Sequence, residues 1–118
     1  MSENNNSFED ACELLGGTLK RTGPDTVCEI SPHDKATVQI VVTDGALKEV
    51  SASNELANTH ITYPTPGEKI ENIKLRRDKK LVHFTFHSGN SCTFTRLPRI
   101  VRGTCVIDSR VVTFAFDP

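Results

Sequence analysis

The stretch IENIKLRRDKKLVHFTFHSGNSCTFTR, residues 70–96, decides the fold. Ile70, Asn72 and Lys74 fall on one side of an extended chain, with Ile73 and Leu75 mainly on the other. Val82, Phe84 and Phe86 then alternate with Leu81, His83, Thr85 and His87. Cys92, Phe94 and Arg96 share a third such face. A two-residue period of this kind marks half-buried β-strands. The breaks at Arg77–Lys80 and at Ser88-Gly89-Asn90 mark turns. Three successive strands joined by short turns form an antiparallel meander.

The same grammar runs through the rest of the chain. Thr18–Arg21 and Thr26–Ile30 flank Gly23-Pro24-Asp25. Ala36–Thr43 and Ala46–Ala52 flank Asp44-Gly45, the sharpest hairpin signal present. Leu47 and Val50 break strict alternation, which predicts a bulge. Ser53–Asn58 reads as a loop or one helical turn, and Thr59–Tyr63 as a short strand before the proline-bearing Tyr63–Gly67 loop. Arg99–Val101, Gly103–Ile107 and Arg110–Phe116 finish the chain as strands. The last of these is apolar on both faces, suiting a central strand or a subunit contact.

One segment departs from this period. Phe8, Ala11, Cys12 and Leu15 recur at helical spacing, Ser7 precedes them as a cap, and Gly16-Gly17 follows as a stop. The reading is therefore α+β: one N-terminal helix packed on a strongly bent antiparallel sheet or small β-barrel of eight to ten short strands. Residues 1–6 are expected to be disordered and residues 7–118 to form one domain. A chain of 118 residues, 36% hydrophobic and 25% charged, suits one soluble globular domain. No apolar stretch is long enough for a membrane helix, and Met1–Asn6 lacks the features of a signal peptide. A cytoplasmic location is expected, with no membrane partner.

Cys12, Cys28, Cys92 and Cys105 allow three pairings, and their spacing suggests two local ones, Cys12 with Cys28 and Cys92 with Cys105. Cys28 shares a strand face with Ile30, so a helix lying over that hairpin brings Cys12 to it. Four buried free thiols are the alternative. No C-x-x-C spacing points to zinc or to a thioredoxin-type centre. His83 and His87 lie four residues apart on one strand, about 13 Å, too far to share a metal ion. No catalytic residue, metal ligand or cofactor is assigned.

The charge pattern carries the functional expectation. Residues 1–58 hold ten Asp/Glu and four Lys/Arg, net −6; residues 59–118 hold five and ten, net +5. Asymmetry of this kind points to an electrostatic partner, or is cancelled when the halves interleave. Lys74, Arg76, Arg77, Lys79 and Lys80 cluster on a hairpin, and Arg96, Arg99, Arg102 and Arg110 add to the same half. The expected function is a non-enzymatic binding module. It contacts nucleic acid or another anion through Lys74, Arg76, Arg77, Lys79, Lys80, Arg96, Arg99 and Arg102. A homodimer is expected. The alternatives are a protein–protein assembly subunit and a small ligand-binding or enzymatic barrel. Trp is absent and Tyr63 is the only Tyr, so base stacking on aromatics has little to draw on.

Overall fold

The structure is a computed structural model. It describes the backbone of residues 2–3, 6–55, 59–64 and 67–114, and the side chains of 6–31, 34–55 and 67–113. In chain order the elements are β1 (Ser2–Glu3), α1 (Phe8–Leu14), β2 (Thr18–Thr22), β3 (Asp25–His33), β4 (Ala36–Thr43), β5 (Ala46–Asn54), β6 (Thr59–Pro64), β7 (Ile70–Arg76), β8 (Leu81–Phe86), β9 (Ser91–Arg96), β10 (Val101–Ile107) and β11 (Arg110–Phe114).

The strands form two antiparallel sheets, not one bent sheet. The smaller runs β2-β3-β4-β5-β6 and the larger β1-β7-β8-β9-β10-β11. Neither closes, so the barrel alternative is corrected. Strands β2 to β6 and β7 to β11 each run as a meander, β1 adds beside β7, and Tyr63 and Pro64, expected in a loop, belong to β6. The sheets join at one corner. Ile70 N–H donates to Gly45 O at 2.8 Å, Leu47 N–H donates to Glu68 O at 3.1 Å, and Ala46 bridges Lys69. The Asp44-Gly45 turn that makes this corner has both residues at positive φ, 52° and 75°, the geometry of a type I′ hairpin.

The inner faces share one core. Cys28, Ile30, Val38, Ile40, Leu47 and Val50 come from the smaller sheet, and Leu75, Val82, Phe84, Cys92 and Phe94 from the larger. Phe84 and Phe94 meet edge to face, with ring centroids 5.6 Å apart. The predicted bulge is present: Val41 faces Glu49 and Val42 faces Leu47, leaving Lys48 as the extra residue. It brings both Leu47 and Val50 into the core.

Helix α1 touches both sheets, on β2 and β3 and on β7 and β8. Seven residues are too few for a stable isolated helix, so tertiary contacts must hold it. The Ser7 hydroxyl accepts from Asp10 N–H. Ala11, Cys12 and Leu15 are buried, and Phe8 packs on Phe84. Gly16, at φ +76°, ends the helix, and Gly17 N–H then donates to Cys12 O at 2.9 Å. The cysteines pair locally: Cys12–Cys28 pins the helix to β3, and Cys92–Cys105 bridges directly opposed residues of β9 and β10. None is left as a free thiol.

Other elements differ from expectation. Ser2 and Glu3 pair with Arg76 and Leu75, and Asn6 N–H bonds to Ile73 O, within the segment read as disordered. Strand β5 runs through Asn54, where a loop or helical turn was expected. Arg102 and Gly103 lie inside one continuous strand, because β10 pairs on both sides from Gly103 onward. The last strand is described to Phe114; Ala115 and Phe116 lie outside the described residues, as does the side chain of Phe114. Among the described residues, no helix is long and apolar enough to cross a membrane.

Candidate anion-binding face

The charge split survives folding because each half of the chain builds its own sheet. Alternation along β7 to β11 sends Ile73, Leu75, Val82, Phe84, Cys92, Phe94 and Cys105 inward and the intervening residues outward. Cross-strand register then sets the outward residues in rows. One row is Arg76, Leu81, Thr95, Arg102. The next is Lys74, His83, Thr93, Thr104, Thr113. The third is Asn72, Thr85, Ser91, Val106, Val111. No carboxylate stands in these rows. The face is a hydroxyl-rich sheet with cations along one end.

Beyond that end lie two loops on the same side of the sheet. Residues 77–80 turn β7 into β8, and 97–100 join β9 to β10. Arg96 N–H donates to Lys80 O at 2.9 Å and ties the loops together. Arg77, Lys79, Lys80 and Arg99 thereby adjoin the row containing Arg76 and Arg102. Seven of the eight expected anion-binding residues gather on this face and its end.

Arg96 does not join them on the outer face. It follows Cys92 and Phe94 on the inward-facing side of β9, at the end of the core. There its Nε would lie 3.7 Å from a Cβ built on Gly16, just past the end of α1. Its Nη1 is buried without a hydrogen-bond partner. Arg110 is exposed at the start of β11, at the far end of the sheet.

Pairing separates the two halves as clearly as position does. On the smaller sheet, Asp25 accepts from the Thr43 hydroxyl and from Lys48 Nζ. Glu29 accepts from Lys20 Nζ and Gln39 Nε2, each at 3.1 Å. These hydrogen bonds hold both carboxyls below their ordinary values, with the nearby ammonium charges adding to the effect. On the larger sheet, Arg76 lies 3.6 Å from Asp78. Among the described residues, no ion pair holds Lys74, Lys79, Lys80, Arg99 or Arg102. Asp25 and Glu29 are occupied within their own sheet, and these cations are open to a partner.

His83 lies mid-face, its Nδ1 2.7 Å from Thr93 Oγ1. Burial first, then the adjacent Lys74 charge, holds its pKa below 6.5, so the ring is neutral at pH 7. His87 is exposed in the turn after β8, and the side chains of His33, His60 and Tyr63 lie outside the described residues. Among the described residues no cluster of three His, Cys, Asp or Glu side chains could hold a metal ion. Phe84, Phe86 and Phe94 are buried, and Phe8 packs on the core. The rows therefore present cations, hydroxyls, His83 and a few aliphatic side chains to a ligand, and no Phe, Tyr or Trp.

Sequence reasoning found the cations but missed the hydroxyl rows. Thr85, Thr93, Thr95 and Thr104 are unremarkable singly and become a surface only through register. No family model, curated protein or solved structure matches this chain.

Proposed function

We propose that this protein is a non-enzymatic module that binds a polyanion, nucleic acid before any other, on the outer face of the larger sheet. The observation that carries this reading is the set of cations without acid partners at one end of that face. Arginine offers bidentate contacts to phosphate, lysine a mobile point charge, and threonine hydroxyls further hydrogen bonds. Binding proceeds by neutralising phosphates and releasing counterions. With no Phe, Tyr or Trp in the described rows, contacts go to the backbone and base readout is slight. Two disulfides favour an oxidising compartment, or an organism whose intracellular proteins carry disulfides, over a reducing cytoplasm.

The test is fluorescence anisotropy of labelled single-stranded DNA, duplex DNA and RNA across a salt series. The expected result is a linear fall of log affinity with log salt, with a slope that counts the phosphates engaged. No binding to any of the three at low salt rejects the reading.

A second reading, homodimer assembly, is favoured by one specific observation. The exposed large hydrophobic residues among those described are Val106 and Val111, which face one another on β10 and the edge strand β11. An edge ladder beside an apolar patch suits pairing with a second copy. The two readings are compatible, because Val106 and Val111 stand two rows away from Arg76 and Arg102.

A further inference from the structure

The two loops at the cationic end enclose a pocket. It is lined by Asp78, Lys79, Lys80, Arg96, Leu97 and Pro98, with a volume of about 410 Å³. The Arg96 N–H to Lys80 O bond fixes one loop against the other, and Leu97 N–H to Ile100 O, at 2.9 Å, closes the second loop on itself. We propose that this pocket is a site for a phosphate monoester, the terminal phosphate of a nucleic-acid strand. The inference rests on the polyanion reading and adds recognition of a strand end.

Charge is the first argument. Three cations line the pocket, and its one carboxylate, Asp78, is already paired with Arg76. A terminal phosphate carries about −1.5 to −2 at pH 7, a backbone diester only −1, so the monoester matches the surplus better. Arg96 is the second. A buried guanidinium nitrogen without an acceptor or a countercharge is unfavourable. Arg96 lines the pocket, and an oxyanion there would supply a countercharge that the fold does not.

Lys80 is the third argument. Its φ is +48°, a left-handed conformation that glycine adopts without penalty and lysine does not. Asp44, Asp108 and Ser109 adopt the same conformation in their turns, so it is turn geometry, and here it sets Lys80 on the rim of the cationic pocket. The fourth is the wall opposite. Pro98 has no N–H, and the Leu97 N–H is committed to Ile100 O, so this side offers no backbone donor to a continuing strand. On the open side, Lys80 adjoins Leu81 and Arg96 adjoins Thr95. Leu81 and Thr95 stand in the row from Arg76 to Arg102, so a strand held by its end has that row beside it.

The test compares one short single strand bearing a 5′-phosphate, a 3′-phosphate or neither, by anisotropy at low salt. A phosphorylated end is expected to tighten binding about tenfold, a charge-assisted contact's worth. The arm that gains identifies which end is read. Lys79→Gln and Lys80→Gly are expected to erase that margin while leaving the melting temperature unchanged or, for Lys80→Gly, raised. Equal affinity for all three strands overturns end recognition and leaves the polyanion reading standing. If no strand binds, the polyanion reading falls, and inorganic phosphate alone decides the pocket. Phosphate-dependent shifts of the Lys80 and Arg96 amide resonances then support a phosphate site, and their absence overturns it.

Discussion

Gly16 and Gly17 are adjacent and do different work. Gly16 supplies the positive φ that ends α1. Gly17 supplies space: a Cβ there would lie 2.6 Å from Cys28 Sγ, 2.9 Å from Cys12 Sγ and 2.9 Å from Ile30 Cγ1. The chain passes over the Cys12–Cys28 bridge so closely that no side chain fits. Gly17→Ala should therefore destabilise the fold by about 1–3 kcal/mol, as overpacking does in well-filled cores. Urea unfolding checks this, and an unchanged midpoint refutes the close approach. The sequence reads both glycines as a helix stop, because that local signal is strong. The second role depends on a cysteine eleven residues downstream and was not legible.

At the scale of elements, β11 is the strand with an unsettled neighbour. Its inner partner is β10, and its other side is an edge of the larger sheet. Val111 is 67% exposed, opposite Val106 at 38%. Val111→Lys places a charge on the edge, the usual natural protection against strand pairing. If two copies meet at this edge, sedimentation equilibrium should show the dimer's dissociation constant rising by about tenfold or more, equivalent to ~1.4 kcal/mol. A wild-type protein that is monomeric at high concentration removes the dimer reading outright. The sequence identified this strand as apolar on both faces. Its edge position came from strand order, since a two-sided apolar pattern also suits a central strand. The strands themselves were largely legible, from alternation in β8 and β9, the Asp44-Gly45 turn and the bulge beside Leu47. The division into two sheets was not. It depends on where the chain changes sheet, and prolines near Tyr63 mark a break without saying what lies on either side.

Across the whole molecule, two charge systems respond to acid in the same direction. Asp25 and Glu29 have folded pKa values below their ordinary 3.8 and 4.5. Their contribution to stability is complete above those values and is lost as pH falls through the folded ones. His83 has a folded pKa below 6.5, so the unfolded chain binds its proton first. Its neutral form is favoured by folding, and stability therefore declines as pH drops from about 6.5. Melting temperature should fall from pH 7 to 5 through His83, and again below pH 4.5 through the carboxylates. His83→Gln should flatten the upper step and spare the lower. A melting temperature that rises on acidification from pH 7 to 5 contradicts the burial of His83 beside Lys74.

By itself, the sequence determined the local features. These are one short capped helix, a succession of half-buried strands, and tight turns where glycine and aspartate permit them. Each depends on residues close in sequence, whose periodicity and turn chemistry act before any distant contact forms. Spacing suggested the two local cysteine pairs, and the tertiary structure decided them. The sequence also determined the net charge of each half. Tertiary structure decided whether those charges cancel. Because the acidic half builds the helix and the smaller sheet and the basic half builds most of the larger one, the fields stay apart. Cross-strand register then set Lys74, Arg76 and Arg102 among threonines and turned Arg96 inward. The physical reason is that a strand fixes which face a side chain takes, whereas strand order and register fix its neighbours on that face. Those neighbours, far apart in sequence, make the surface.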